Sequence, residues 1–512
     1  MVNGFDSSLV NGLQILPAWQ DQFHHPQGKA LGLINSAQMI GNLAGLPFTP
    51  FCSDHFGRRA TLFIGSILMM GGVAAQATAD TPAKFIGARV IIGCGLTFSM
   101  NAAPLLITEL AYPSQVHYIS SFEGPELKIK SQRGKFTSLY NSSWYMGSII
   151  AAWACFGAYN GAPNSIWSWK VPTLIQALGP FLQVCLIWFI PESPRWLVSR
   201  GREGKAARLL ARLHANGYDE QDPLVVFEMA QIRHALKMER ENSKATSFKA
   251  LFSTPGNRKR MKIIIGIAMF SQWSGSGLVS YYINLVLEGV GIQSTSTKAA
   301  INGGLQIWNL AAALTGAFLV DWVGRRTLFI ASNAGMLIAF SAWTLTTALF
   351  NTIHSVPAAR ATIPLIFIFY LFYDIAYTPM LIAYTLEILP YTIRAKGFAV
   401  MNLTVSLTLA FNQFINPWAL DAIGWKYYLV YCRTLEETAV LFDGEEKPAD
   451  LVQMGGNAAI ITMSRGAGAA VQGDFDPSAA ETPEKSSVGE IYELRTTRSI
   501  GMDRWDDSSE VK

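Results

Sequence analysis

Two charged residues stand where a chain seldom puts them. Asp6 lies in the apolar run that opens the sequence, and Arg89 lies in another at 84–106. A charge at the centre of a membrane helix costs about 2.5–3.5 kcal/mol on insertion scales and is kept chiefly where it meets a partner or a cavity. An acid and a base so placed are natural partners. Such an acid can load and release a proton; a purely structural buried pair is the other reading.

A second set of charges recurs. DHFGRR at 54–59 and DWVGRR at 321–326 each close one apolar run and open the next. The glycine permits a tight turn, the acid favours the N-terminus of the following helix, and the arginines anchor the loop on one face of a membrane. A generic positive hairpin accounts for one copy, whereas the duplication points to an architecture built twice. TELAYPSQ (108–115) and TLEILPYTIR (385–394) echo each other in the same way. Glu387 precedes Arg394 by seven residues, and Glu109 regains that spacing to Arg133 once 116–132 are left out. The extra segment reads either as a retained short intron in the gene or as a genuine loop insertion, which a cytoplasmic hairpin tolerates.

Helices must hold these residues, and the composition says what surrounds them. Half of the 512 residues are hydrophobic and only 15% are charged. With a positive mean hydropathy, such a chain cannot easily cover itself with polar surface, so a bilayer is its natural solvent. A hydrocarbon core of about 30 Å needs about 20 helical residues per crossing. Ten stretches meet that need: 31–52, 60–80, 84–106, 136–158, 170–190, 261–287, 299–320, 327–350, 362–386 and 397–419. Two partial ones, 2–16 and 425–432, flank them. A polar, helix-prone segment from 191 to 260 separates the fifth span from the sixth. If the spans alternate, Arg58, Arg59, Arg325, Arg326 and this segment share one face, while the loops at 17–30, 288–298 and 351–361 are nearly devoid of Lys and Arg. The first face is cytoplasmic. From 433 the composition turns to Glu, Asp, Ser, Thr and Gly, which predicts a disordered tail. A cleavable signal peptide is not needed, because the first span of a polytopic chain directs its own insertion.

Several classes drop out. A net charge of +4 without basic tracts interleaved with aromatics does not suit nucleic acid. Cys52, Cys94, Cys155, Cys185 and Cys432 are scattered singly with no metal-ligand spacing. His24, His25 and His55 have no catalytic or metal constellation around them. The expectation is no enzyme site, no metal and no cofactor.

Taken together, DHFGRR, GARVIIGCG with Arg89, Glu109 with Arg133, PESPRWL (191–197), SQWSGSG (271–277) followed by Tyr281 and Tyr282, DWVGRR, and Glu387 with Arg394 resemble the sugar porters of the major facilitator superfamily, nearest to the fungal lactose/hexose permease type. The likeness covers roughly residues 1–432. It implies an all-α polytopic membrane protein with the major facilitator fold, two six-helix pseudo-repeats rocking around a central site for a small neutral sugar. The implied organisation is an N-terminal bundle at 1–190, a cytoplasmic linker at 191–260, a C-terminal bundle at 261–432 and a cytoplasmic tail at 433–512. By resemblance Asp54, Arg58, Glu109, Arg133, Glu192, Arg195, Asp321, Arg325, Glu387 and Arg394 form the cytoplasmic latch. Asp6 matches the carboxylate of proton-coupled relatives and Arg89 their fourth-helix arginine. Gln272 and Asn309 stand at sugar-contacting amide positions, Asn141 occupies one where glutamine is usual, and Tyr281 and Tyr282 match the outer gating pair. Amides and aromatic faces suit a hydroxyl-rich neutral ligand.

The chain also departs from the pattern. Gly277 replaces an asparagine and Ile382 a tryptophan, which implies a roomier site suited to a disaccharide. Tyr370, Tyr373 and Tyr377 lie at helical spacing, as replacement stacking or as a packing stripe. The first helix enters only at its midpoint, and the eight residues 425–432 rise about 12 Å, so helices 1 and 12 read as truncated by a mis-annotated gene. The implied activity is proton-coupled uptake of a mono- or disaccharide at the plasma membrane. A non-transporting sugar sensor and an inactive truncated paralogue stand beside it.

Overall fold

The computed structural model describes residues 1–110, 133–163, 165–215, 219–245, 250–389 and 391–432. Side chains at 133–141, 321, 387 and 391–395, among others, lie outside that description, as does the segment 116–132. Every regular element among the described residues is helical. The first half of the chain runs through α1 (Val2–Leu13), α2 (Pro17–Gln22), α3 (Gly28–Gly45), α4 (Phe48–Phe56), α5 (Arg58–Ala77), α6 (Pro82–Leu110), α7 (Arg133–Gly161), α8 (Trp167–Ile175) and α9 (Leu178–Leu186). Then come α10 (Pro194–Ser199), α11 (Glu203–His214), α12 (Pro223–Ala245) and the single turn α13 (Ala250–Ser253). The second half runs through α14 (Pro255–Trp273), α15 (Ser276–Glu288), α16 (Thr295–Val323), α17 (Arg325–Ile353), α18 (Val356–Ile388) and α19 (Tyr391–Ile423), followed by a 3-10 turn at Gly424–Tyr427 and helical residues to 432.

Seven segments among the described residues are long and apolar enough to cross a membrane: Arg58–Ala77, Pro82–Leu106, Pro255–Glu288, Thr295–Val320, Arg325–Ile353, Val356–Ile382 and Lys396–Cys432. The sequence predicts ten. The span at 31–52 is divided between α3 and α4, with Pro47 at the join, and the span at 170–190 between α8 and α9, where Pro172 and Pro180 bracket the interruption. Proline lacks the N–H that would continue the ladder, so each crossing is built from two shorter pieces. The third, 136–158, lies within the 29-residue α7.

Polarity is distributed the wrong way round for water. Trp322 is 88% exposed, and Phe51, Phe189, Phe318 and Ile338 are exposed with it, while Asn35, Gln38, Asn302, Gln306, Asn309, Asn333, Asn412 and Asn416 are buried. Such an exterior is stable only against lipid. Small residues bring the helices close. A Cβ on Gly4 of α1 would stand 1.8 Å from the Trp144 carbonyl oxygen, and one on Gly147 of α7 1.9 Å from that of Met1. One turn along, Ser8 and Ser148 meet hydroxyl to hydroxyl at 2.5 Å. Glycine and serine at such crossings allow the close packing that drives helix association where lipid offers no hydrophobic gain. The two most extensive seams between the halves, among the described residues, are α3 on α19 and α7 on α16.

Away from the apolar spans, α10, α11 and α12 close a small core of their own from Leu197, Ala206, Leu210, Val225 and Met229. Ser193 caps α10 by accepting from the Trp196 N–H, and Pro194 follows at the first helical position.

Candidate functional site

Asp6 is 1% exposed on α1, and neither carboxylate oxygen has a hydrogen-bond partner among the described residues. Its polar neighbours are the Gln176 amide at the end of α8 and the Arg89 guanidinium of α6. Arg89, also buried, is held elsewhere: its Nη2 donates to Gln38 Oε1 of α3 at 2.6 Å, and its Nε is unpaired. The two charges act on one another without forming an ion pair. An acid buried beside a base but not bonded to it can change protonation when its surroundings shift, without first breaking a salt bridge.

Arg89 is also within electrostatic reach of Tyr281 and Tyr282 of α15. Tyr282 is fully buried and donates its hydroxyl to the Gln413 carbonyl of α19. Asp6, Arg89, Tyr281 and Tyr282 thus form one neighbourhood reaching across both halves. The amides are arranged otherwise. Gln272, half-buried near the end of α14, donates from Nε2 to Ser271 Oγ at 3.1 Å, and its carbonyl accepts from Asn412 Nδ2 of α19 at 2.8 Å. Asn309 of α16 is buried with its Oδ1 unpaired among the described residues. The Asn141 side chain lies outside the description.

The expectation of a roomier pocket is overturned at Gly277. A Cβ there would stand 2.6 Å from Asn412 Nδ2 and 3.5 Å from Asn416 Nδ2, so amides of α19 already fill the space that a larger side chain would take. Tyr431 fixes both, donating to Asn412 Oδ1 at 2.7 Å and to Asn416 Oδ1 at 2.5 Å. Ile382 is partly buried and packs against an apolar cluster that includes Met261, Ile264, Leu389 and Met401.

Sequence reasoning missed a second buried acid. Asp374 of α18 is 0% exposed; its Oδ1 accepts from Tyr145 Oη of α7 at 2.6 Å and from Thr378 Oγ1 at 2.7 Å, while Oδ2 is unpaired. An acid inside an apolar span is the signal that singles out Asp6, and it marks Asp374 equally. The tyrosines beside it have committed hydroxyls: Tyr370 donates to the Ser276 carbonyl at 2.6 Å, Tyr373 to the Ser271 carbonyl at 3.2 Å and Tyr377 to Asn333 Oδ1 at 2.8 Å. They tie α18 to α14, α15 and α17, in keeping with a packing stripe.

The first-half residues expected in the latch converge around Arg58 at the start of α5. Arg58 Nε meets Glu109 Oε2 at 3.2 Å, and Arg58 Nη1 meets Asp54 Oδ1 at 3.4 Å. Ser193 donates its hydroxyl to Glu109 Oε2. Glu192 Oε1 accepts from the backbone N–H of Arg58 at 3.0 Å and of Arg59 at 3.3 Å, placing a carboxylate on the N-terminus of α5, where the helix dipole favours it. Arg195 is the second residue of α10, two residues after Ser193. In the second half, Gly324 repeats the backbone of Gly57, with φ, ψ of 86°, 153° against 98°, 165°, and Arg325 opens α17 as Arg58 opens α5. The side chains of Arg133, Asp321, Glu387 and Arg394 lie outside the description.

A family model for sugar (and other) transporters matches residues 1–435. The chain belongs to that family. Among curated sugar-transporter relatives, it is 28% identical over 459 residues to the MFS glucose transporter mfs1 of Aspergillus flavus, covering 84% of this chain and 81% of the relative. It is 27% identical over 461 residues to the high-affinity glucose transporter of Kluyveromyces lactis, covering 84% and 77%. Of the solved structures, the xylose transporter XylE of E. coli in an inward-open conformation matches with a TM-score of 0.68, covering 87% of this chain and 93% of that one, at 20% identity. This likeness gives the fold, that of the major facilitator superfamily. As a sugar-transporter family member with seven apolar helices among the described residues, the protein is a multi-pass membrane transporter and not an enzyme.

Proposed function

We propose that the protein carries a small neutral sugar, a mono- or disaccharide, across the plasma membrane by alternating access, with a proton as the coupled ion. The organisation proposed with it is a bundle at 1–190, a cytoplasmic linker at 191–260, a second bundle at 261–432 and a cytoplasmic tail. Asp6 is the proton-carrying group and Arg89 the charge it responds to. Gln272, Asn309 and Asn141 supply amides to sugar hydroxyls, and Tyr281 and Tyr282 close the outer side. Asp54, Arg58, Glu109, Glu192 and Arg195, with Arg133, Asp321, Arg325, Glu387 and Arg394, hold the inner side shut.

The observation that carries this reading is Asp6: a buried acid with two unpartnered oxygens, close to Arg89 but not bonded to it. Buried ionisable groups in membrane spans are costly and mark ion pathways. The relatives called glucose transporters and the xylose transporter give the substrate class to try first.

The test is uptake of labelled glucose, xylose and lactose by cells expressing the full chain, with and without a protonophore. The expected result is accumulation above the external concentration that collapses with the proton gradient. Asp6→Asn should abolish that accumulation while equilibrium exchange of the same sugar persists. Accumulation by Asp6→Asn at the normal level would refute the coupling role. Surface protein that binds sugar but moves none would refute transport.

A further inference from the structure

The helix α15 is interrupted by a side chain from the other half of the molecule. Tyr282 leaves the helical region at φ −140°, ψ 31°. In a regular helix the Ile283 N–H would donate to the Val279 carbonyl. Here the carboxamide of Asn11, on α1, meets both groups: its Oδ1 accepts from the Ile283 N–H at 3.2 Å and its Nδ2 donates to the Val279 carbonyl at 3.4 Å. The same Nδ2 lies 3.4 Å from Asn302 Oδ1 of α16. At the C-terminal end of α1, the capping residue Gln14 donates from Nε2 to the Tyr281 carbonyl at 3.1 Å and to Asn35 Oδ1 of α3 at 3.2 Å. Both amides are buried, and Val10, Leu13, Leu278, Val279 and Ile283 around them are apolar.

The chemistry is specific. A carboxamide offers a donor and an acceptor side by side on one planar group, as a peptide unit does, so it can stand in for the missing i to i−4 bond. A side chain inserted into that ladder is a recognised cause of a kink. Without it, a backbone N–H and C=O would be left unpaired in an apolar interior, at a full desolvation penalty. The bend in α15 and the contact of α1 with α15 therefore stabilise one another.

We infer that Asn11, assisted by Gln14, is a positioning residue that splices the break in α15 and so couples the bend of that helix to closure of the outer side. When the halves part there, α15 loses its substitute partner and straightens, restoring the bond from Ile283 to Val279. This rests on the alternating-access reading above, and it places a two-state element where the loops are poorest in Lys and Arg. Asn11 need not touch sugar for this role.

Hydrogen exchange read by mass spectrometry on the full chain in lipid nanodiscs tests the splice directly and needs no transport. In Asn11→Ala, exchange within 279–285 should rise by about tenfold, as expected when a local opening becomes easier, while 261–271 of α14 and 305–320 of α16 stay as in the parent. Asn11→Ser, too short to span both groups, should behave alike and serves if the alanine variant does not fold. Unchanged exchange at 279–285, or a rise spread evenly over α14 and α16, overturns the proposal.

Uptake adds a second readout. Loss of the splice favours the outward-open state, so Vmax should fall by about fivefold while KM stays level or drops, as population shift requires. A raised KM at unchanged Vmax would make Asn11 a substrate contact and overturn the positioning role. If the parent moves no sugar but exchange rises locally in the variant, the transport reading fails and the splice stands.

Discussion

Asp6 and Asp374 are the same kind of residue held in two ways. Asp6 has no bonded partner, whereas Asp374 is tied to Tyr145 of the opposite half and to Thr378 one turn along its own helix. Removing one donor from a buried acid leaves desolvation uncompensated. Tyr145→Phe should therefore lower stability by about 1–3 kcal/mol, seen as a lower midpoint in thermal unfolding of the detergent-purified chain. Thr378→Val should cost a similar amount, because each variant leaves one of the two bonds to Oδ1 in place. At this scale the sequence is legible for single charges: an acid in an apolar run announces itself. Asp374 escaped because the run around it is rich in tyrosine and reads as packing. The bond from Arg89 to Gln38 could not be read, since it depends on which faces α3 and α6 present to each other.

The turns between helices carry the duplication best. Gly57 and Gly324 share a backbone region that is essentially open to glycine alone, so alanine at either should cost about 1–3 kcal/mol in strain. Their surroundings differ. A Cβ at Gly57 would stand 2.5 Å from Glu192 Oε2, which sits on the α5 N-terminus, whereas one at Gly324 would meet nothing within 4 Å among the described residues. Gly57→Ala should thus be the more damaging of the two, in both thermal stability and uptake. Equal losses would mean that Glu192 yields freely. The repeated motif allowed the paired turns to be foreseen from residues alone. The break in α15 could not be: SGLVSYYINLVLE contains nothing that stops a helix at Tyr282, and the cause lies on α1. Likewise the room expected at Gly277 was claimed by α19, a partner distant in the chain.

Across the described residues, a polar interior inside an apolar exterior is what half-hydrophobic composition led one to expect, and the seams between halves follow from the fold. One seam offers a test. On α3, a Cβ at Gly32 would stand 2.5 Å from the Phe414 carbonyl oxygen of α19. Gly32→Val should wedge this seam and cut uptake severely while the chain still reaches the membrane, measured by surface labelling alongside transport. Transport at the parental rate would show that the seam gives.

The triplet α10–α12 is fastened to one side. Trp196 Nε1 donates to the Asp54 carbonyl at 3.0 Å, Arg200 Nη2 donates to the same oxygen at 3.0 Å, Glu192 caps α5, and His214 Nε2 lies 3.3 Å from the Leu110 carbonyl at the end of α6. These anchors all belong to the first half. A protein or modification that grips the triplet would load that half by itself and, under the proposed alternating access, act as a brake or a spur on its swing.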